Sequence, residues 1–317
     1  MRCRDDLSAK EWDVLLAEMG GHPLQSALWG QAKKIVYGIS DKRLAIYIQD
    51  QLAALIRVEN KGLKSFLKIG WIPQGPICAD NFKWRDIEKT LHDKLKKSGI
   101  MLCITSPWKS IFDTVETGMR QTVWIDLSLG NETLWATLDK QWRYGVRNAQ
   151  RLGAQVSISN TVQELTDFYQ LCIQISQKKD FNFQYTQAFL QCLMDLSDRN
   201  SVETKLFLAK IGSKVAAGAF IIRVGKNIHY MWGAVDRQYS KHRLGEFIQW
   251  SVIEWACEKN CTLYDLEGID EVSNPGVAAF KKKMGGEIIN LQNAQMNHFN
   301  LRGKILSRVF RKKLSAV

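Results

Sequence analysis

The sequence has 317 residues, of which 45% are hydrophobic, and its 44 Lys and Arg outnumber its 32 Asp and Glu to give a net charge of +12. The length favours two domains, and the apolar content excludes an intrinsically disordered chain. A chain this basic commonly binds a polyanion such as a nucleic acid, a nucleotide-linked substrate or an anionic membrane, although a solvated basic surface without such a partner is an open alternative.

Cysteine usage and apolar runs indicate the compartment. The seven cysteines contain no Cys-x-x-Cys pair and stand mostly in apolar runs, which is typical of reduced core thiols and not of a zinc site. The N-terminus lacks the apolar core of a signal peptide, and no stretch approaches the roughly 18 apolar residues of a membrane span. We therefore expect a cytoplasmic protein without a metal, which would reach a membrane-linked substrate from the cytosolic side.

Helical and strand periodicities alternate through the first half of the chain. The predicted elements, in chain order, are helices at 7–18 and 24–34, two strands within 43–57, a strand at 66–73, a helix at 83–98, and strands at 100–105 and 122–127.

The second half repeats this kind of alternation. Its predicted elements are helices at 131–152, 161–178 and 185–197, strands at 204–211, 215–224 and 227–234, a helix at 244–259, a strand at 262–266, a helix at 275–284, a strand at 287–291, and a basic amphipathic helix at 297–317.

The order of elements predicts the fold class. Each half gives helices, antiparallel strands, a helix and further strands, which favours an α/β (α+β) protein with a mixed sheet in each of two domains. A short polar segment follows Leu127, so we place the first domain at 1–128 and the second at 129–296. The terminal helix 297–317 could then pack back on the first domain.

A basic loop precedes the predicted helix 244–259. It contains Arg237, Lys241 and Arg243, and Gly245 opens the helix. Backbone N–H groups at a helix N-terminus favour phosphate, so this segment is a candidate anion site. An ordinary solvated loop is the alternative.

A basic helix is predicted just after the domain boundary. Arg143, Arg147 and Arg151 are four residues apart and would share one helical face, where their mutual repulsion favours a negatively charged partner. Trp142 and Tyr144 flank them and could stack on a base or sugar. The alternative is a solvated helix face.

Carboxylates and a lysine cluster follow the predicted strand 262–266. Asp265 could accept a proton or orient an amine, and Glu267 stands two residues later. Lys281 could stabilise an oxyanion if it faced the same cleft. The alternative is that these carboxylates only pair with nearby lysines.

Six short segments, which together extend from residue 25 to residue 286, contain the motifs of one known family in the same order. The matching residues are Gln25, Ser26, Trp29, Gly30 and Lys33; Pro73, Gln74, Gly75 and Pro76; Arg143, Val146, Arg147, Ala149 and Gly153; Tyr230, Trp232 and Gly233; Tyr264, Asp265, Gly268, Ile269 and Asn274; and Phe280, Lys281, Gly285 and Gly286. In these segments the chain resembles the Fem family of peptidoglycan bridge-forming aminoacyltransferases.

The resemblance implies two tandem N-acetyltransferase-like (GNAT-like) domains with a substrate cleft between them. It implies aminoacyl-tRNA as the donor and the side-chain amine of a lipid-linked (lipid II) or UDP-linked peptidoglycan precursor as the acceptor. Contact with the inner membrane face would follow from a lipid-linked acceptor, and neither a cofactor nor DNA is implied.

The same resemblance assigns roles to individual side chains. Lys33 would bind the precursor's phosphate, Tyr230 and Trp232 would line the acceptor channel, and Phe280 and Lys281 would hold the donor ester. Trp29 and Tyr264, in the matching segments, would also contact substrate, and the basic residues of helix and loop would bind tRNA.

Three departures qualify the resemblance. No long helical arm is predicted within 131–200. Gln184 and Ala188 stand where the family often has Arg and Tyr, which leaves the usual phosphate contact and the acceptor open. Met284 replaces the family's common Phe.

Two other functions are compatible with the same residues. One is an acyl-coenzyme A-dependent N-acyltransferase, although Gly245 alone represents the glycine-rich signature of that superfamily. The other is a non-catalytic tRNA- or membrane-surface-binding protein, which the basic helix and the tail would support.

Overall fold

A computed structural model describes residues 1–62, 67–112, 117–159, 161–178 and 183–314. The first elements are β1 (Arg2–Arg4), α1 (Ala9–Glu18), α2 (Ala27–Tyr37), β2 (Asp41–Ile48), β3 (Gln51–Asn60), β4 (Ile69–Pro73), β5 (Ile77–Cys78), α3 (Trp84–Lys97), β6 (Leu102–Ser106) and β7 (Thr117–Asp126). They are followed by α4 (Gly130–Thr137), α5 (Lys140–Arg151), β8 (Gln155–Ser159), α6 (Val162–Lys178), α7 (Gln187–Asp195), β9 (Val202–Ile211), β10 (Lys214–Val224), β11 (Asn227–Val235), α8 (Leu244–Glu258), β12 (Leu263–Asp265), α9 (Pro275–Lys282), β13 (Glu287–Gln292), β14 (Gln295–His298) and α10 (Leu301–Leu314).

The chain divides into two compact units. One comprises Met1–Arg120 and Asn290–Val317, and the other comprises Gln121–Ile289. The later part of β7 lies in the second unit because it pairs with β12, Asp126 standing opposite Leu263. The chain returns to the first unit through β14, which pairs with β6.

The first unit is built on a mixed sheet with the strand order β1-β2-β3-β4-β6-β14. Helix α3 covers it because Trp84, Ile87, Leu91 and Leu95 recur at helical spacing and are all buried. Gly99 follows the helix with a φ of 78°, a left-handed conformation that glycine adopts without steric cost.

The second unit contains a sheet with the order β13-β7-β12-β11-β10-β9-β8, in which β11 and β12 run parallel. Helices α5 and α8 pack closely together: a Cβ added to Gly145 would lie 3.2 Å from the side chain of Glu246. Trp142, Val146 and Leu244 enter the buried core of this unit. The sheet and α8 thereby fix the positions of β11 and of the loop after β12.

The single helix predicted at 131–152 is wrong, because the structure has two helices there. Leu138 is extended with a ψ of 145°, and Asp139 caps α5. Its Oδ1 accepts a hydrogen bond from the backbone N–H of Gln141 at 2.8 Å. Asp is a preferred N-cap residue, so a new helix begins where the periodicity suggested continuation.

The predicted helix at 297–317 also begins later than expected. Its first residues belong to β14, and Asn300 Oδ1 accepts from the N–H of Gly303 at the start of α10. Residues 315–317 of this prediction, and residue 66 of the predicted strand 66–73, lie outside the described residues. Among those that are described, no helix is both long and apolar enough to cross a membrane.

Candidate active site

A cavity of about 630 Å³ opens in the second unit. Its wall is formed by β11, the first turns of α8, helix α9 and the loop after β12. It brings together six of the side chains singled out from the sequence, namely Tyr230, Trp232, Arg237, Glu267, Phe280 and Lys281. An aromatic surface, a cation and a helix N-terminus therefore face one space.

Lys281 lies in the wall of this cavity and is only 7% exposed. Its Nζ donates to the carbonyl oxygens of Gly268 at 2.8 Å and Glu267 at 3.3 Å. Burial lowers the pKa of Lys281 to about 8, and the carboxylates of Glu267 and Asp265 oppose this shift. An ammonium group has three N–H donors, so in the described part of the chain one N–H is available to a group in the cavity.

The two carboxylates of this region occupy different positions. Asp265 is 1% exposed, and its Oδ1 accepts from Thr122 Oγ1 at 2.5 Å and from the N–H of Glu267 at 2.8 Å. Glu267 lines the cavity, and its Oε1 lies 2.9 Å from Nδ1 of the buried His229. Asp265 is predicted from the sequence to orient the amine, whereas the structure places Glu267 at the cavity surface and Asp265 behind it.

The aromatic side chains of the cavity wall are supported by further rings and by Lys281. Trp232 contacts Phe220 and Tyr185, with ring centroids 5.3 and 5.1 Å away. Tyr230 is partly exposed, and burial of its hydroxyl raises its pKa. Lys281 Nζ lies 5.7 Å from the centroid of the Tyr230 ring.

Two aromatic residues expected to contact a ligand are core residues instead. Tyr264 is fully buried, and its hydroxyl donates to Gln249 Oε1 at 2.5 Å. Trp142 is 2% exposed and packs its ring 5.3 Å from that of Phe280. Each therefore supports the cavity from behind.

The basic loop forms a 3-10 turn between β11 and α8. Arg237 and Lys241 are exposed, whereas Arg243 has a φ of 57° and places its Nε 2.9 Å from Glu246 Oε1. The side-chain amide of Asn148 donates to the carbonyl of Lys241 and ties the loop to α5. The turn is thus held in place, with Arg237 at the cavity.

The three arginines of α5 differ in their contacts. Arg143 donates to the carbonyl oxygens of Trp135 and Ala136 at the end of α4, at 3.2 and 2.7 Å. Arg147 and Arg151 are exposed, although Arg147 lies over the Trp135 ring and Arg151 donates to Asn148. Arg143 therefore has a structural role, and the other two present their charge to solvent.

The first unit contains the remaining predicted residues. Trp29 is 1% exposed and belongs to the core, so it is not placed to touch a ligand. Lys33 is half-buried; burial lowers its pKa, which the charge of Glu59 partly restores. That Lys33 shares a cleft with Tyr230 and Lys281 stays a prediction.

A second cavity, of about 970 Å³, lies within the first unit. Its lining includes Lys61, Trp71 and Arg120, and Lys61 Nζ lies 3.6 Å from the centroid of a Trp71 ring. Lys33 is outside this lining but is coupled to Lys61 electrostatically. This cavity therefore combines cations with an aromatic face.

Comparison with known proteins supports the fold and the family resemblance. Residues 138–282 match the Acetyltransferase (GNAT) domain family. The UDP-N-acetylmuramoylpentapeptide-lysine N(6)-alanyltransferase of Weissella viridescens is 24% identical over 131 residues, which are 40% of this chain and 37% of that protein. The chain thus matches well under half the length of this relative.

Solved structures extend the likeness to the whole chain. The crystal structure of FemX superposes with a TM-score of 0.82 and 14% identity, covering 98% of this chain and 99% of the other. A tandem GNAT protein from the clavulanic acid biosynthesis pathway superposes with a TM-score of 0.55 and 10% identity, covering 94% and 98%. The chain therefore has two tandem GNAT-like domains of mixed α/β structure, and its fold is similar to that of FemX, as the resemblance implied.

Proposed function

We propose that this protein transfers an aminoacyl group from aminoacyl-tRNA to the side-chain amine of a peptidoglycan precursor and so forms an interpeptide bridge. The observation that carries the proposal is Lys281, a buried cation fixed by two backbone carbonyls in the wall of an aromatic cavity. The named activity of the Weissella viridescens relative supports the same acceptor chemistry.

Attack of an amine on an ester needs positioning and charge stabilisation more than an activated nucleophile. The amine nitrogen forms a bond to the ester carbonyl carbon, and negative charge develops on the carbonyl oxygen. Lys281 is the donor that stabilises this oxyanion, and Phe280 and Tyr230 enclose the reacting groups. The ribose oxygen of the tRNA then leaves with a proton, and the amide remains on the precursor.

The donor's phosphates meet the exposed cations of the second unit. Arg147 and Arg151 on α5 and Arg237 and Lys241 in the basic loop present their charges to solvent. Each such contact releases counterions from the nucleic acid, so binding of tRNA is salt-dependent. Arg143 and Arg243 act indirectly, because their guanidinium groups contact the protein itself.

The acceptor's phosphate and sugar groups bind to the first unit. Lys33 supplies a charge, and the cavity beside Lys61, Trp71 and Arg120 provides cations and a ring surface for a sugar or base. Gln184 is uncharged, whereas the family often has Arg at this position. Lys33 and Lys61 therefore contribute more of the phosphate binding than they would beside that Arg.

A lipid-linked acceptor would bring α10 to the inner membrane face. This helix contains no acidic residue, and Leu301 and Ile305 are 74% and 55% exposed beside Arg302 and Lys304. Apolar and basic side chains together suit an anionic lipid surface. Cosedimentation with phosphatidylglycerol vesicles, compared with uncharged vesicles, tests this part of the proposal.

Ligand-dependent melting tests the choice of donor. A ligand that binds only the native state raises the melting temperature, by an amount that grows with its concentration relative to Kd. We expect aminoacyl-tRNA and a UDP-linked muropeptide each to stabilise the protein, and free coenzyme A not to. Stabilisation by coenzyme A alone would contradict the proposal.

An acyl-coenzyme A-dependent N-acyltransferase is the second candidate. It is favoured by the GNAT family match and by Ser240 and Gly245, which bring the start of α8 to the cavity wall, where a pyrophosphate could bind. Transfer of an acetyl group from acetyl-coenzyme A to any amine, without tRNA, would support this candidate instead.

A further inference from the structure

Glu267 is held in an unusual backbone conformation at the edge of the cavity. Its φ is 58°, in the left-handed region that residues with a side chain seldom adopt. Its backbone N–H donates to Asp265 Oδ1 at 2.8 Å, and its carbonyl oxygen accepts from Lys281 Nζ. Both backbone groups of this residue are therefore fixed by polar side chains of the site.

The carboxylate of Glu267 is fixed as well. Its Oε1 lies 2.9 Å from His229 Nδ1, and His229 is fully buried. A carboxylate only accepts hydrogen bonds, so Nδ1 carries the proton and donates it to Glu267. Asp265 Oδ2 lies 3.8 Å from the same nitrogen, which holds the imidazole between two carboxylates.

His229, Asp265 and Glu267 differ in how far their side chains are exposed, and this difference indicates which of them can contact a ligand. The side chains of His229 and Asp265 are 0% and 1% exposed, whereas that of Glu267 is 21% exposed and lines the cavity beside Lys281. Of the three groups, Glu267 is thus the one that a ligand in the cavity can touch, while the other two orient it.

We infer that Glu267 is a catalytic residue that accepts the proton of the incoming amine, and that His229 and Asp265 are positioning residues for its carboxylate. This inference rests on the proposed aminoacyl transfer and adds the proton acceptor that the reaction needs. A positioned carboxylate within reach of a reacting amine is a common general base.

The acceptor's ammonium group gives one proton to Glu267, and the freed lone pair forms the C–N bond while the carbonyl π pair moves to the oxygen beside Lys281. As the C–O bond to the ribose breaks, Glu267 gives this proton to the departing oxygen. It then takes a second proton from nitrogen and releases it to water, and one N–H remains in the amide.

The test compares Glu267→Gln with Glu271→Gln in transfer from aminoacyl-tRNA to a lysine-containing precursor. Gln keeps the size of Glu267 and can still accept from His229, and Glu271 is a nearby control whose carboxylate pairs with Lys282 at the surface. We expect Glu267→Gln to lower kcat by about 10²–10⁴-fold with KM near the wild-type value. Glu271→Gln should keep the wild-type rate.

A second acceptor distinguishes proton transfer from a structural effect. In a precursor with 5,5-difluorolysine the fluorines stand next to the carbon that bears the amine, so the amine is much less basic and a large fraction of it is already unprotonated near neutral pH. The loss caused by Glu267→Gln should then be about tenfold smaller. A folding defect would lower both rates equally and would show in the melting temperature.

The outcomes separate the two proposals. If wild-type protein forms no amide on the precursor, the proposed function fails, and the inference fails with it. If the wild type is active and Glu267→Gln is equally active, or loses the same factor with both acceptors while melting normally, Glu267 is not the proton acceptor and only the inference is overturned.

Discussion

The Nζ of Lys281 lies 2.8 Å from the backbone carbonyl oxygen of Gly268, in the turn that leads from β12 towards α9. This contact and the one to Glu267 fix an ammonium group that the protein has removed from water. Burying a charge is unfavourable unless it is hydrogen-bonded, so the arrangement is costly to fold and suits a catalytic cation.

Replacing Lys281 by Met removes the charge while keeping most of the side-chain volume. We expect the transfer rate to fall by about 10²–10³-fold, the effect of removing one oxyanion donor. The measurement is the initial rate of amide formation from aminoacyl-tRNA. Lys282→Met is the matched control, because Lys282 is the next residue of α9 but pairs with Glu271 at the surface; equal rates for the two variants would remove Lys281 from the mechanism.

The free energy of unfolding should depend on pH through the titration of Lys281. The pKa of Lys281 is about 8 in the folded protein, against the ordinary value of 10.5. Between these two pKa values the unfolded chain binds more protons than the folded protein does. The contribution of Lys281 to the unfolding free energy therefore rises as the pH increases from 8 to 10.5.

Urea unfolding of wild type and Lys281→Met across this pH range isolates that contribution. The stability of the wild type relative to the variant should increase with pH by up to about 1.4 kcal/mol per unit. The contributions of other titrating groups cancel when the unfolding free energy of the variant is subtracted from that of the wild type. The unfolding free energy of Lys282→Met should change with pH as that of the wild type does. A pH-independent difference would show that Lys281 titrates normally.

Gly233 determines where the Tyr230 ring can lie. A Cβ at this position would be 1.6 Å from the Tyr230 hydroxyl oxygen and 2.5 Å from the adjoining ring carbon. Gly233→Ala should therefore displace the ring from the cavity and lower the transfer rate by about 10²-fold, the usual effect of misplacing a group by an ångström.

A second glycine of the same cavity provides a stability control. A Cβ at Gly276 would meet no atom of the described residues within 4 Å, so Gly276→Ala should melt like the wild type. The measurement is the initial rate of amide formation. An unchanged rate in Gly233→Ala would contradict the proposed part of Tyr230.

The arginines of α5 should separate into binding and structural residues. Arg147→Ala and Arg151→Ala should each weaken tRNA binding and reduce the slope of log K against log salt by about 0.7–0.9. Arg143→Ala should mainly lower the melting temperature, because it leaves the carbonyls of Trp135 and Ala136 without this donor. Lys10→Ala, an exposed lysine of α1, serves as the control; equal slopes in all variants would exclude α5 from the tRNA surface.

Periodicity and motif order predicted much of the fold. Helix α3 could be found because buried apolar residues recur at helical spacing, and the strands β9, β10 and β11 because each contains a run of buried residues. The division of 131–152 into two helices was missed, since the cap at Asp139 interrupts a pattern that is otherwise helical.

Side-chain burial could not be predicted from residue type. Trp29, Trp142 and Tyr264 carry groups that bind ligands in many proteins, but each points into a core in this fold. Asp265 and Glu267 are two residues apart, and alternation alone would give both the same face. The left-handed backbone at Glu267 turns its carboxylate to the cavity, and no pattern in the sequence indicates that conformation.

The most direct test of the account is a single-turnover assay with aminoacyl-tRNA labelled in the amino acid and a muropeptide precursor as the acceptor. We expect the label to move from the tRNA ester to an amide on the precursor's lysine side chain, and Lys281→Met to slow this transfer by about 10²–10³-fold. Label that stays on the tRNA, while an acyl-coenzyme A donor modifies the same or another amine, would contradict it.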